Sequence, residues 1–211
     1  MAGLQEFISA MVTGKGMARL AKYEVEFAPP GSLVGNNQIV GLLGQSSLTV
    51  DLSNNRRTVG LLCDSIMMPG HQLTASTSKY GTDLPREVVS GHSFEGTITA
   101  TFYMDSNLEI KSYFDLWQSL AVNPRTNKVN YYESYTGSMK IFQLGEGVAV
   151  HNSKIVKRDT NRTYGISVEE VYPATIGEIE YAYGTTDELA KLSVEFQYKK
   201  WKTIDPVDLK K

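Results

Sequence analysis

The residues able to do chemistry in this sequence lie far apart and lack the spacings that catalytic or metal sites use. The three histidines, His71, His92 and His151, occur in separate segments with no metal-ligand spacing among them. No G-x-S-x-G sequence supports a serine nucleophile. The glycine-containing stretches lack the Lys-Ser/Thr pair that ends a phosphate-binding loop. These side chains therefore predict no catalytic residue, no metal site and no cofactor.

The carboxylates and the single cysteine also favour structural roles. Glu169 and Glu170 are adjacent, so on a strand they would point to opposite faces. Glu178 and Glu180 fall on the polar face of a predicted strand. Cys63 excludes an intrachain disulfide, and no Cys-His signature surrounds it, which favours a small buried side chain.

Composition limits the class of protein further. The chain has 211 residues, 41% of them hydrophobic, and a formal net charge of −2, so it lacks the basic surface that grips nucleic acid. No stretch approaches the roughly 20 continuous apolar residues of a membrane helix. The N-terminus lacks the basic start and cleavage site of a secretory signal, so we expect cytoplasmic synthesis. Residues 1–22 are predicted to form an amphipathic N-terminal arm.

Strands are the elements that must position these side chains, because apolar residues alternate along most of the chain. The predicted strands are Tyr23–Phe27, 59–68, 93–104, 137–144 and 162–173, followed by two more at about 178–183 and 191–201 after a proline-containing corner. One segment has helical spacing instead, with Tyr113, Phe114, Trp117 and Leu120 on one face and Asp105, Ser106 or Asn107 available as a cap. We therefore expect one mainly-β domain, 1–211, with an extended loop insertion at 29–57.

Residues 71–93 predict an unusually polar hairpin that turns near 81–85. Gln72, Thr74, Ser76 and Ser78 lie on one face of its first strand. Neither face is strongly apolar, and an isolated two-stranded hairpin is only marginally stable. The hairpin is therefore expected to need neighbours.

Three stretches occur in an order that is similar to one known family. "KYEVEF" follows the N-terminal arm, "YFDLWQSLA" follows an alternating strand, and "YPATIG" leads to a last strand that ends in "YKKW". Together they resemble the tail tube proteins of contractile-tailed, T-even-like bacteriophages. The positions that fit the family's motifs are Trp117, Gln118, Tyr172, Pro173, Thr175, Ile176, Gly177 and Trp201. The loops at 29–57 and 145–161 look longer than the usual loops of that family.

The resemblance implies a tail-tube-type β-barrel or sandwich with one flanking α-helix and an N-terminal arm. Such subunits would form homohexameric rings in which four strands per subunit build an inner barrel, and the rings would stack into a tube. The resemblance also implies tail sheath, baseplate and tape-measure proteins as partners, no membrane, synthesis in the host cytoplasm and a place in the virion tail. DNA would pass non-specifically through the lumen during ejection into the host.

Alternation selects the residues that we expect to face this lumen. A channel that carries DNA is expected to expose hydroxyl, amide and carboxylate groups, because Lys and Arg bind phosphates and would slow passage. The lumen candidates are Gln72, Thr74, Ser76 and Ser78 with Glu87 and Val89 on the partner strand, and Ser138, Lys140, Ser167 and Glu169 on a second hairpin. A slip of one residue would exchange every one of these assignments.

Two other functions fit the same sequence. The first is a baseplate protein of the same fold that initiates the tube. The second is a monomeric ligand-binding β-sandwich, whose groove would be lined by Tyr131, Tyr132, Tyr135, Tyr181 and Tyr183. Rings or tubes in electron micrographs would exclude the monomer, and binding of sheath along the whole length or at one end would separate the tube protein from the initiator.

Overall fold

The computed structural model describes residues 18–31, 58–94, 96–145, 162–182, 189–205 and 208–210, with isolated positions 3, 5, 6, 8, 9 and 184. Most of the predicted arm at 1–22 and of the predicted loop at 29–57 therefore lies outside the described residues, as do His151 and Tyr183. The described residues among 3–9 are helical and exposed, and the amphipathic arm stays a prediction. The division into a single domain stays a prediction.

The described chain is mostly strand. The strands are β1 (Tyr23–Ala28), β2 (Cys63–Ile66), β3 (His71–Ser78), β4 (Arg86–Phe94), β5 (Thr97–Tyr103), β6 (Gly137–Leu144), β7 (Arg162–Ile176), β8 (Lys191–Gln197) and β9 (Lys200–Thr203). The helices are α1 (Glu109–Ala121) and the short α2 (Tyr132–Tyr135), with a 3-10 turn at Asp208–Lys210. A mainly-β fold with a flanking helix is therefore confirmed; α2 was not predicted.

Seven strands form one antiparallel sheet in the order β1-β6-β7-β8-β5-β2, with β9 also pairing with β7. The long strand β7 connects the two halves, because its first part pairs with β6 and β9 and its last part with β8. The change occurs at a bulge, where Glu170 has a φ of 57° and no partner on β6. A bulge bends a strand and increases its twist, which lets one strand serve both halves.

The sheet curls around an apolar core. Ile98, Ala100 and Phe102, at alternate positions of β5, face this core and are fully buried. The two end strands of the sheet approach each other, and the Tyr23 hydroxyl donates a hydrogen bond of 2.7 Å to the Cys63 carbonyl. The strands thus enclose the core almost as a barrel does.

Helix α1 covers the core with the face that its spacing predicted. Tyr113, Phe114 and Trp117 are fully buried, and the Phe114 ring lies 5.6 Å from the ring of Phe196 on β8. Asp105 accepts the backbone N–H of Glu109 at 3.0 Å, which satisfies a donor of the first turn. Asp105 thus accepts a first-turn N–H as predicted, although the residue at the N-cap position is Leu108, which makes no side-chain cap hydrogen bond. Leu116 is a buried residue that the spacing did not predict.

Three predicted boundaries are wrong. Residues 58–61 are helical, so the strand predicted from residue 59 begins only at Cys63. Tyr172–Ile176 form no corner but continue β7, and residues 177–182 are not a strand. Pro173 is tolerated there because it lies at a register irregularity of β7. Trp201 does not end β8; it lies on the separate strand β9.

Candidate functional site

The hairpin β3–β4 forms its own two-stranded sheet and projects from the rest of the described chain. Every residue of β3 is exposed, and so is every residue of β4 except Phe94. Strands in a folded domain ordinarily bury one face against a core. Both faces of this hairpin are therefore available for contacts outside the chain.

The register of the hairpin corrects part of the lumen prediction. Residues directly opposite each other in an antiparallel pair share a face. Ser76 pairs with Val88, whereas Glu87 pairs with Thr77 and accepts a hydrogen bond of 2.7 Å from its hydroxyl. Val89 likewise pairs with Ala75. Glu87 and Val89 therefore lie on the opposite face from Gln72, Thr74, Ser76 and Ser78, because a bulge between the Thr74 and Ala75 pairs shifts β4 by one residue.

The two faces of the hairpin have different chemistry. The face of Gln72 carries the hydroxyls of Thr74, Ser76 and Ser78, with Val88 and Arg86 opposite the last two. The opposite face carries the aliphatic side chains Leu73, Ala75 and Val89, together with Thr77, Glu87 and His92. We call these the polar hairpin face and, after its three aliphatic side chains, the apolar hairpin face. The residues of β4 on each face could not be predicted from simple alternation, because the bulge in β4 interrupts the two-residue period.

An aromatic cluster fixes the base of the hairpin on the sheet. The Trp201 ring lies 6.1 Å from Phe94 and 6.3 Å from His71, and the Trp201 Nε1–H donates to the Gly70 carbonyl at 3.0 Å. Trp201 is opposite Val168, whose side chain is fully buried, so Trp201 lies on the core side of the sheet. The apolar hairpin face is therefore continuous with the core side, and the polar hairpin face with the outer side.

The second set of lumen candidates lies together on that outer side. Ser138 pairs with Glu169 and Lys140 with Ser167, so these four residues share one face of β6 and β7. Their neighbours on each strand, such as Met139, point to the core. The structure thus places these four residues on one face, and their place in a lumen stays a prediction.

Most of the charge on the outer face is neutralised by ion pairs. The Arg162 guanidinium lies 3.0 Å from Glu24 and 2.5 Å from Glu26, and it covers the ring of Phe142 at 3.9 Å. Glu169 lies between two cations of β9. Alternation along one strand could not predict these ion pairs, because they join strands that are distant in sequence. The cations are Lys202 at 2.5 Å and Lys200 at 3.3 Å. Hydrogen bonds from these lysines hold the pKa of Glu169 below its ordinary value.

The family-motif residues have structural roles. Trp117 Nε1–H donates to the Tyr135 carbonyl at 2.8 Å, and the Gln118 amide donates to the Ala174 carbonyl at 3.0 Å. A Cβ on Gly177 would lie 2.9 Å from the Ser193 carbonyl oxygen, so glycine lets the chain leave the sheet there. These contacts fix α1 and β7 in place, and none of them brings a reactive group to a cavity.

The described residues offer neither a reactive thiol nor a metal-binding cluster. Burial raises the pKa of the Cys63 thiol to about 12, so the thiolate is scarce at neutral pH. No three described His, Cys, Asp or Glu residues cluster as metal ligands.

An open groove of about 820 Å³ runs along β1, between Tyr23 and Lys140. No described helix is long and apolar enough to cross a membrane.

The tyrosines proposed for a ligand groove do not form one in the described chain. The Tyr135 ring packs 5.5 Å from Tyr132 and 5.3 Å from Tyr172. Tyr131 and Tyr181 project outwards, with 89% and 73% of their surface exposed. No ring contact among the described residues joins either of them to the cluster.

Comparisons with known proteins agree with the topology. The model of the phage tail tube protein family matches residues 18–204. A comparison with curated protein sequences finds no match. A chain in the extracellular contractile injection system PVC sheath–tube complex, in its extended state, superposes with a TM-score of 0.54 at 6% identity, covering 93% of this chain and 97% of that chain.

Two further solved structures have a similar fold. A chain of the PVC sheath/tube terminator in the extended state gives a TM-score of 0.52 at 7% identity, covering 90% of this chain and 97% of that one. A chain of the six-fold symmetrised anti-feeding prophage baseplate gives 0.50 at 9% identity, with the same coverages. At such identities the likeness concerns the fold. The family model, however, spans most of the sequence, and by that match the chain belongs to the phage tail tube protein family.

Proposed function

We propose that this chain forms homohexameric rings that stack into the inner tube of a contractile phage tail, the conduit for DNA ejection into the host. The observation that carries the proposal is the hairpin β3–β4, whose strands of eight and nine residues are exposed on both faces. A free hairpin of this kind is marginally stable and leaves two long strand edges unpaired. Neighbouring copies in a ring would pair those edges and cover the apolar hairpin face.

The two faces suit the two sides of a tube wall. In the proposed ring, the apolar hairpin face packs against protein, and the polar hairpin face with Gln72, Thr74, Ser76 and Ser78 lines the lumen. Ser138, Lys140, Ser167 and Glu169 continue the same side of the wall. The ion pairs of Glu169, Lys200 and Lys202 support this assignment, because neutralised cations bind DNA phosphates less strongly. Arg86 and Lys140 are the cations of this side that have no ion pair with a described carboxylate.

The proposed partners are the tail sheath, the baseplate and the tape-measure protein, and the proposed role is structural rather than enzymatic. The similar folds found in a sheath–tube complex, a tube terminator and a baseplate support contacts of this kind. A baseplate tube-initiator is the second candidate, because the fold resembles a baseplate chain nearly as well as a tube chain. Immunogold labelling along the whole tail, rather than at one end, would favour the tube protein. The chain would be made in the host cytoplasm and located in the virion tail.

The test is electron microscopy of the purified full-length chain, alone and with baseplates, together with arginine variants of β3. Thr74→Arg/Ser76→Arg is expected to assemble normally but to slow DNA exit from tails, more so at low salt. The matched control, Ala75→Arg/Thr77→Arg, places the same charges on the apolar hairpin face and is expected to prevent assembly. Sedimentation that shows only monomer under all conditions would contradict the proposed function. The reverse pattern of the two variants would mean that the faces are exchanged.

A further inference from the structure

The segment after α1 is a projecting loop held by its own hydrogen bonds. Val122 and Val129 form a β-bridge, and the Asn123 side-chain oxygen accepts the backbone N–H groups of Arg125 at 3.0 Å and Thr126 at 3.2 Å. The Asn130 amide donates to the Leu120 carbonyl at 2.8 Å, which ties the loop to the helix. The loop is therefore shaped before any partner binds, which reduces the entropy lost on binding.

This loop presents two cations beside apolar side chains. Arg125 and Lys128 are exposed, and neither has an ion pair with a described carboxylate. Lys111 and Lys191, by contrast, are surface cations paired at 2.7 Å with carboxylates of the same chain. Val129 is 73% exposed and Tyr131 is 89% exposed. We call residues 122–131 the basic loop.

A second exposed segment has the opposite charge. Glu178 and Glu180 follow the end of β7, are exposed, and have no ion pair with a described cation. Half-buried Ile179 and 73% exposed Tyr181 alternate with them. We call residues 178–181 the acidic segment. It has two carboxylates for the two cations of the basic loop, and each segment carries an exposed tyrosine.

We propose that the basic loop of one copy binds the acidic segment of the next copy of this chain. The inference rests on the proposed function, since it names surfaces that would join subunits of the tube. Complementary charges steer association and suppress wrong registers, and exposed tyrosines supply contact area that becomes dry on binding. Because the two segments are different surfaces of the chain, the contact is heterologous and repeats from copy to copy.

Charge exchange tests this contact. The basic-loop variant is Arg125→Glu/Lys128→Glu, the acidic-segment variant is Glu178→Lys/Glu180→Lys, and the third variant combines all four changes and keeps the net charge of the natural chain. Each double variant is expected to raise the concentration needed for assembly by on the order of tenfold or more, because two like-charge contacts replace two opposite ones. The combined variant is expected to recover most of the loss. Assembly of the natural chain should weaken as salt rises towards about 1 M, where charges are screened beyond about 3 Å.

A matched control separates this contact from a general effect of charge. Lys111→Glu/Lys191→Glu changes the net charge by the same amount at cations that are already paired within the chain, and it is expected to leave assembly within about twofold of the natural chain. Circular dichroism must show that every variant is folded. Normal assembly of both double variants, or no recovery in the combined variant, overturns the inference while the natural chain still forms tubes. Absence of tubes from the natural chain overturns the proposed function instead.

Discussion

Replacing Trp117 by alanine tests whether α1 holds the core together as its contacts indicate. The side chain is fully buried, with ring centroids 6.1 Å from Tyr113 and 6.5 Å from Phe196. Truncation of a buried Trp costs about 3–5 kcal/mol. It also removes the donor to the Tyr135 carbonyl, which adds about 1 kcal/mol if water cannot reach that oxygen. Since domains are stable by only about 5–15 kcal/mol, the variant loses a large share of its stability.

The assay is urea unfolding followed by far-UV circular dichroism, at a concentration where the chain sediments as a monomer. Trp117→Phe is the matched variant, because it retains most of the apolar volume and lacks the indole N–H, so we expect a loss of about 1–2 kcal/mol. The alanine variant should also melt roughly 6–20 °C lower, since 1 kcal/mol corresponds to about 2–4 °C in a domain of this size. An alanine variant within about 1 kcal/mol of the natural chain would show that Trp117 is not packed in the core, because removing a buried indole costs more than that.

Two further predictions concern ionisable groups. The pKa of Glu169 is lowered in the folded state by Lys202 and Lys200, so its ion pairs stabilise the fold above the unfolded pKa of about 4.5 and are lost as the pH falls through the folded pKa. Urea midpoints measured at about pH 7 and about pH 3 should therefore differ less for Glu169→Gln than for the natural chain, and an equal difference would contradict the role of these pairs. The Cys63 thiol, buried and with its pKa raised to about 12, should resist Ellman's reagent at about pH 8 until urea unfolds the chain; rapid labelling of the native protein would show that β2 opens.

The sequence predicted the elements whose pattern is local. Strand β6 has the bounds that alternation suggested, and the buried face of α1 follows from residues at three- and four-residue spacing. Both features depend on the spacing of residues within a single strand or helix, and that spacing can be read from the sequence. The hairpin β3–β4 was also recognisable, because its polarity and its turn lie within one continuous segment.

The wrong predictions lie where contacts between strands determine the backbone conformation. Glu170 adopts a left-handed conformation that composition does not suggest, and the bulge there lets β7 pass through Pro173 to a new partner. The bulge between the pairs of Thr74 and Ala75 moved Glu87 and Val89 to the other hairpin face. One inserted residue moves every later side chain of that strand to the opposite face of the sheet. A site made of side chains on one face is therefore the part of a β protein that is hardest to predict from sequence.

The open strand edges of the fold are the features that the proposed ring would cover. In the described chain β3 and β4 pair only with each other, and β1 pairs only with β6. Open edges of this length invite association with any available strand, and a monomer would need charged or kinked edges to prevent it. A closed ring uses every edge once, whereas an incomplete ring keeps two edges open and continues to bind subunits until it closes. In the proposed ring, the open edges of the hairpin would thus make the ring add subunits, and their pairing at closure would stop the addition.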